Sequence, residues 1–238
     1  MSAPHDDSMA HPLDHPIWSA LTTRQSALAQ VAGGVRRYDP AFAAFAATAE
    51  GTTESFAGLA ALVPAGGRVY LQQGEAIAPP AGFVLVHATP TVRMLAERIE
   101  GPAASFAFAD LTPADAPEML ALALLTKPGP FFERTNELGR FVGVRVNGRL
   151  VAMAGERLKP AGFSEVSGVC THPDHRGKGY AAGLMRNVAR AMLARGETPF
   201  LHAYADNEGA IALYEKLGFA TRWRPVLMVL ERRRDMVL

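Results

Sequence analysis

The sequence predicts a mixed α/β fold, and three observations carry that expectation. From Phe106 onward, strand-like and helix-like segments alternate. Asn147-Gly148 between two apolar runs marks a hairpin with a two-residue type I′ turn. A glycine-containing turn then opens a long helix over residues 179–195. Its Ala181, Leu184, Met185, Val188 and Met192 share one face, while Arg186 and Arg190 lie on another.

Composition bounds the rest. Of 238 residues, 49% are hydrophobic and 20% charged, which is enough to bury a core. The 24 basic and 23 acidic residues leave a formal charge of +1, without the electrostatic footprint of a nucleic-acid binder. Cys170 is the only cysteine, so an internal disulfide and a Cys/His zinc array are both excluded. No apolar stretch approaches the ~18 residues of a spanning helix, and the start lacks the basic-then-apolar pattern of a signal peptide. A soluble, cytoplasmic protein is expected, with no metal, no membrane association and no nucleic-acid partner.

In chain order, residues 1–15 carry His5, His11, Pro4 and Pro12 without periodicity and read as a flexible arm. Residues 16–102 read as a small α/β subdomain. Alanine-rich segments suggest helices at 40–49 and 54–62, and short apolar runs suggest strands at 68–72 and 82–87. The pattern changes at Glu100-Gly101-Pro102, which places a second domain at 103–238. There a strand at 106–111 leads through Thr112-Pro113 into a helix ending near Thr126. The hairpin strands follow at 139–146 and 149–158, then a strand at 163–171 and the long helix, stopped by Gly196. A strand at 199–205, a helix at 207–217 and strands at 219–223 and 226–230 complete the chain.

The chemistry concentrates at His175-Arg176-Gly177-Lys178-Gly179-Tyr180-Ala181. The first N–H groups of the following helix have no intrahelical acceptor, and the helix dipole favours an anion there. Glycines let the backbone approach a phosphate, and Arg176 and Lys178 add positive charge. A Walker A loop fails because tyrosine follows Gly179. A dinucleotide motif over Gly177–Gly183, with Asp206 as the ribose acid, is weakened on two counts. Residues 172–176 separate the strand from the glycines, and too little chain follows Asp206 to complete a doubly wound sheet.

The run Arg176-Gly177-Lys178-Gly179-Tyr180-Ala181 also satisfies Q/R-x-x-G-x-G/A, the diphosphate loop of the GNAT N-acyltransferases. From about Phe106 to Leu230 the sequence resembles that superfamily, including its closing element from Asn207 to Phe219. Within it, residues 165–176 and the extra N-terminal half look most like the glycine N-acyltransferase-like branch. The resemblance implies a mostly antiparallel central sheet flanked by helices, with the N-terminal part as a degenerate, GNAT-like half. It implies transfer of an acetyl group from acetyl-CoA to a primary amine of a small molecule or amino acid by direct attack. A catalytically silent acyl-CoA sensor is the alternative.

On that resemblance the backbone of Val169, Cys170 and Thr171 would pair with the cofactor arm. Residues Arg176 to Ala181 would hold the diphosphate, and Asn207 would bond the arm while capping a helix. Tyr214 corresponds to the tyrosine that protonates the departing thiolate. Glu165, two periods from Val169 on the same strand, is a candidate base, with Glu156 or a water chain as rivals. Cys170 alternates toward the core and is not a nucleophile. An acceptor groove is expected from Phe131, Asn136, Glu156 and Arg157, with Arg134 a further partner for a carboxylate. His172, His175 and His202 occupy no spacing that demands a role. A homodimer is an open expectation.

Overall fold

A computed structural model describes residues 11–234. The helices are α1 (Pro16–Thr22), α2 (Leu59–Leu62), α3 (Ala116–Thr126), α4 (Tyr180–Ala194) and α5 (Glu208–Lys216). The strands are β1 (Ala29–Ala32), β2 (Val35–Tyr38), β3 (Ala46–Ala47), β4 (Arg68–Gln73), β5 (Phe83–Leu95) and β6 (Ala109–Asp110). They continue with β7 (Phe141–Val146), β8 (Arg149–Glu156), β9 (Phe163–Thr171), β10 (Thr198–Tyr204), β11 (Ala220–Trp223) and β12 (Val226–Arg232). A small sheet β1-β2-β3 stands beside a nine-stranded one ordered β4-β12-β5-β10-β9-β8-β7-β6, with β11 also on β5. Within the large sheet only the β9/β10 pair is parallel, so it is mixed and mostly antiparallel.

Local chemistry explains the elements that position the site. Asn147 and Gly148 both take positive φ, 51° and 78°, as the β7–β8 hairpin turn requires. Thr112 and Asp115 form a capping box ahead of α3. The apolar face of α4 supplies Leu184, Met185, Val188, Ala189 and Met192 to the main core, against Val142, Val151 and Val166 of the sheet. Met119 and Leu122 of α3 cover the other face with Phe141, Met153 and Cys170. Burial pushes the Cys170 thiol up to about 11, which suits a core residue and not a nucleophile.

β9 departs from simple alternation. Its register against β8 shifts between Met153 and Gly155, and Gly168 sits at φ +63°. A Cβ on Gly168 would lie 2.8 Å from the Phe141 ring, so the residue must be small as well as left-handed. Val166 and Val169, three apart, therefore pack against the same core. Glu165 and Val169 do not share a face as period 2 had suggested, because the bulge inserts one residue between them.

Several expectations are corrected. Residues 40–49 form no helix. Phe42 to Ala46 are all buried in one unbroken run, and Phe45 bridges Tyr70 while Ala46 pairs with Arg37, so tertiary burial overrides alanine's helix propensity. The strand expected at 106–111 shrinks to β6, since Phe106 and Phe108 turn inward, Phe106 edge-on to Tyr180 at 4.9 Å. Of the arm expected at 1–15, residues 1–10, with His5 and Pro4, lie outside the described residues. Leu13, expected in the arm, is fully buried instead, because its side chain joins the cluster of Ile17, Leu21 and Tyr38. The boundary at 102/103 does not separate two sheets. β5 runs to Leu95, its residues 91–95 pair with β10, and residues 93–95 pair with β11 as well.

Candidate active site

β9 and β10 pair only over Phe163–Thr198, Ser164–Pro199 and Glu165–Phe200, then diverge. The opening has two connected parts. Its outer groove is walled by Val169, Cys170 and Thr171, by all of Arg176 to Ala181, and by Asn207 and Tyr214. An inner chamber is lined by Pro128 and Pro130, by Glu165 and Val169, and by His202, Tyr204 and Arg157. Pro128, Val169, Asn207 and Tyr214 belong to both, so they mark the junction.

The outer groove has the features of an anion site. Gly177 and Gly179 take φ of +77° and +75°, and Gly179 is the N-cap of α4. A Cβ on either would meet nothing within 4 Å, so the space over the helix start is open. Thr171 Oγ1 and His175 Nδ1 on the same wall are buried and make no hydrogen bond among the described residues. An open cradle of amides and two unpartnered polar atoms fit a diphosphate ester. Asn207 Oδ1 accepts from Ala210 N at 3.2 Å, which caps α5 and leaves its amide N–H groups at the junction. Tyr214 is half-buried, and burial raises its pKa, so its hydroxyl stays protonated.

The chamber floor is a buried polar chain. Arg157 grips Glu165 with two parallel bonds, Nε to Oε2 and Nη2 to Oε1, both 2.8 Å. His202 Nδ1 lies 2.7 Å from Glu165 Oε1, and Arg93 Nε donates to His202 Nε2 at 2.8 Å. Because Arg93 can only donate, Nε2 must accept and Nδ1 must carry the proton. Arg93 Nη2 also donates to Gln72 Oε1 at 2.8 Å. Desolvation lowers the His202 pKa to about 4, which keeps the ring neutral. Arg157 above all, then His202, hold the Glu165 carboxyl far below the usual carboxylate range, against its own desolvation.

Glu165 is therefore a poor base. Its side chain is 1% exposed, and its four acceptor positions are taken by Arg157 twice, by His202 and by Leu158 N at 3.3 Å. Of the expected acceptor residues, only Arg157 lines the chamber. Glu156 is turned away and pairs with Arg195 at 2.9 Å and Lys159 at 3.0 Å. Phe131 packs edge-on against Phe141, Asn136 sits in a short 3-10 turn, and Arg134 pairs with Glu137 at the surface. The adjoining Pro128-Gly129-Pro130 provides the wall instead. Sequence reasoning missed Arg93 and Gln72 and gave His202 no role. The one available signal was an arginine inside the apolar run Thr91-Val92-Arg93-Met94-Leu95, and β5/β10 register sets it directly opposite His202.

Comparison with known proteins gives the architecture a family. A crystal structure from Novosphingobium aromaticivorans, described as a GNAT-family acetyltransferase, is 46% identical, covers 94% of this chain and 99% of its own, and superposes with a TM-score of 0.85. The chain belongs to the GNAT acetyltransferase family. A family model described as FR47-like protein matches residues 141–227, which contain β9, the loop and α4. A GCN5-related N-acetyltransferase from Kribbella flavida shares the fold at TM-score 0.61 and 19% identity, over 94% of this chain and 96% of that one. An acetyltransferase from Yersinia pestis is 35% identical over 85 residues, or 34% of this chain, and the N-alpha-acetyltransferase RimI from Mycobacterium tuberculosis is 37% identical over 82 residues, or 33%. The chain spans 58% and 51% of the length of those two curated relatives.

Proposed function

We propose that this protein transfers an acetyl group from acetyl-CoA to a primary amine of a small molecule by direct attack. The observation that carries the reading is the continuity of the glycine-loop groove with the inner chamber through Tyr214 and Asn207. The loop amides of residues 177–181 and the orphaned Thr171 and His175 atoms would hold the diphosphate. The free edge of β9 at 169–171 would pair with the amides of the arm. Bound there, the cosubstrate supplies an activated thioester at the mouth of the chamber.

In that arrangement the amine nitrogen bonds to the thioester carbon, the carbon–sulfur bond breaks, the nitrogen loses a proton and the sulfur gains one. Tyr214, held protonated by burial, is suited to give that proton to sulfur and unsuited to accept one from the amine. Glu165 positions Arg157 and His202 and does not take the amine proton. The narrower kinship with the glycine N-acyltransferase-like branch belongs to the same proposal, and so does a cytoplasmic location.

The saturated Glu165 carboxylate favours one second reading, an acyl-CoA-binding module without turnover. Thiol release from acetyl-CoA over a panel of amines separates the two. The transferase reading expects release, and it expects Tyr214→Phe to lower kcat by roughly 100-fold while CoA affinity is kept. Tight CoA binding with no release on any amine would establish the silent module.

A further inference from the structure

The chamber has a surplus of positive charge and of hydrogen-bond donors. Around it stand two guanidinium groups, Arg157 and Arg93, and one carboxylate, Glu165, with the neutral His202 between them. The next carboxylate, Asp14, is already paired with Arg222 at 2.7 Å. One buried positive charge is therefore uncompensated among the described residues.

The bonding capacities agree with the charges. Glu165 has no acceptor position left for a ligand. Arg157, which lines the chamber, has five N–H donors, of which two go to Glu165 and one to Pro130 O at 3.3 Å, so two have no hydrogen-bond partner among the described residues. Gln72, which also lines the chamber, has its Oε1 occupied by Arg93, which leaves its amide N–H groups as donors without a partner among the described residues. A buried donor without an acceptor is costly, and an ammonium placed here meets neither a free carboxylate nor a favourable field.

We infer that the acceptor is an amine that also carries a carboxylate, which the free N–H groups of Arg157 and Gln72 receive, and that amines without a carboxylate, polyamines included, are selected against. The inference rests on the transferase reading for its amine and on the chamber alone for its carboxylate. The same positive field lowers the basicity of a bound amine, so the free base is favoured without a dedicated general base.

Matched pairs of acceptors test it: 4-aminobutyrate against butylamine, and phenylalanine against 2-phenylethylamine. The carboxylate member of each pair should have the higher kcat/KM by about tenfold or more, as a charge-assisted hydrogen bond provides. Gln72→Glu places a compensating carboxylate against Arg93 in a near-isosteric side chain. It should reduce that preference at least about tenfold while leaving CoA affinity unchanged. Preference for the member without a carboxylate, or a preference that Gln72→Glu does not move, overturns the inference.

A binding arm keeps the two claims separate. Saturation-transfer NMR on the CoA-loaded protein should detect pentanoate and not pentylamine. Pentanoate binding with no thiol release from any amine would leave the carboxylate site standing and remove the transferase reading. Binding of pentylamine alone, or of neither, would remove the inference.

Discussion

At the scale of single residues, His202 shows how burial decides protonation. The ring is fixed between a donor, Arg93, and an acceptor, Glu165, and its pKa falls from 6.5 to about 4. Between those values the unfolded chain holds a proton that the folded one does not, so stability rises with pH across that window and is lost as pH falls through it. The full difference is about 3 kcal/mol. Urea unfolding followed from pH 4 to pH 7 should show that slope, and His202→Gln should flatten it. An unchanged slope in the variant would contradict the assignment. None of this was legible from the motif. Tyr214, Asn207 and the glycines follow one another in a short recognisable order, whereas Arg93 and His202 are 109 residues apart and meet only through sheet register. Glu156 misled for the mirror reason. Its strand was correctly read, but which face the carboxylate takes depends on Arg195 and Lys159, and no local pattern states that.

At the scale of elements, the bulge in β9 separates what was readable from what was not. The strand's limits, Phe163–Thr171, agree with the sequence reading, and α4 was legible from its periodicity. The extra residue at Gly168 was not, because a glycine in a strand is compatible with either regular or bulged pairing. The bulge turns the second half of the strand so that Val169 meets the main core and Cys170 the α3 side. Gly168→Ala should therefore cost about 2–4 kcal/mol, combining left-handed strain with the contact at the Phe141 ring. It should also weaken CoA binding, since the strand edge that faces the groove would shift. Denaturant titration of the variant reads the first effect and calorimetry the second. An alanine variant as stable as the parent would mean that β9 tolerates regular pairing.

At the scale of the whole molecule, the segment before residue 103 does not stand apart. β5 is a central strand of the large sheet, Gln72 and Thr91 line the chamber, and Arg93 anchors its floor. Glu100-Gly101-Pro102 breaks the sequence pattern, but strands from both sides of it join one sheet, with β5 paired to β10. What the whole sheet provides is one opening between β9 and β10, with the start of α4 at its outer end and the Arg157–Glu165–His202 chain at its inner end. The central claim is that the outer end grips a diphosphate through main-chain amides. Isothermal titration of CoA into the intact protein and into Gly177→Val and Gly179→Val tests it most directly. We expect saturable binding by the parent and a loss of at least about tenfold in each variant, with the far-ultraviolet spectrum retained. Absence of binding by the parent, or affinities that the bulky side chains leave unchanged, would contradict the account.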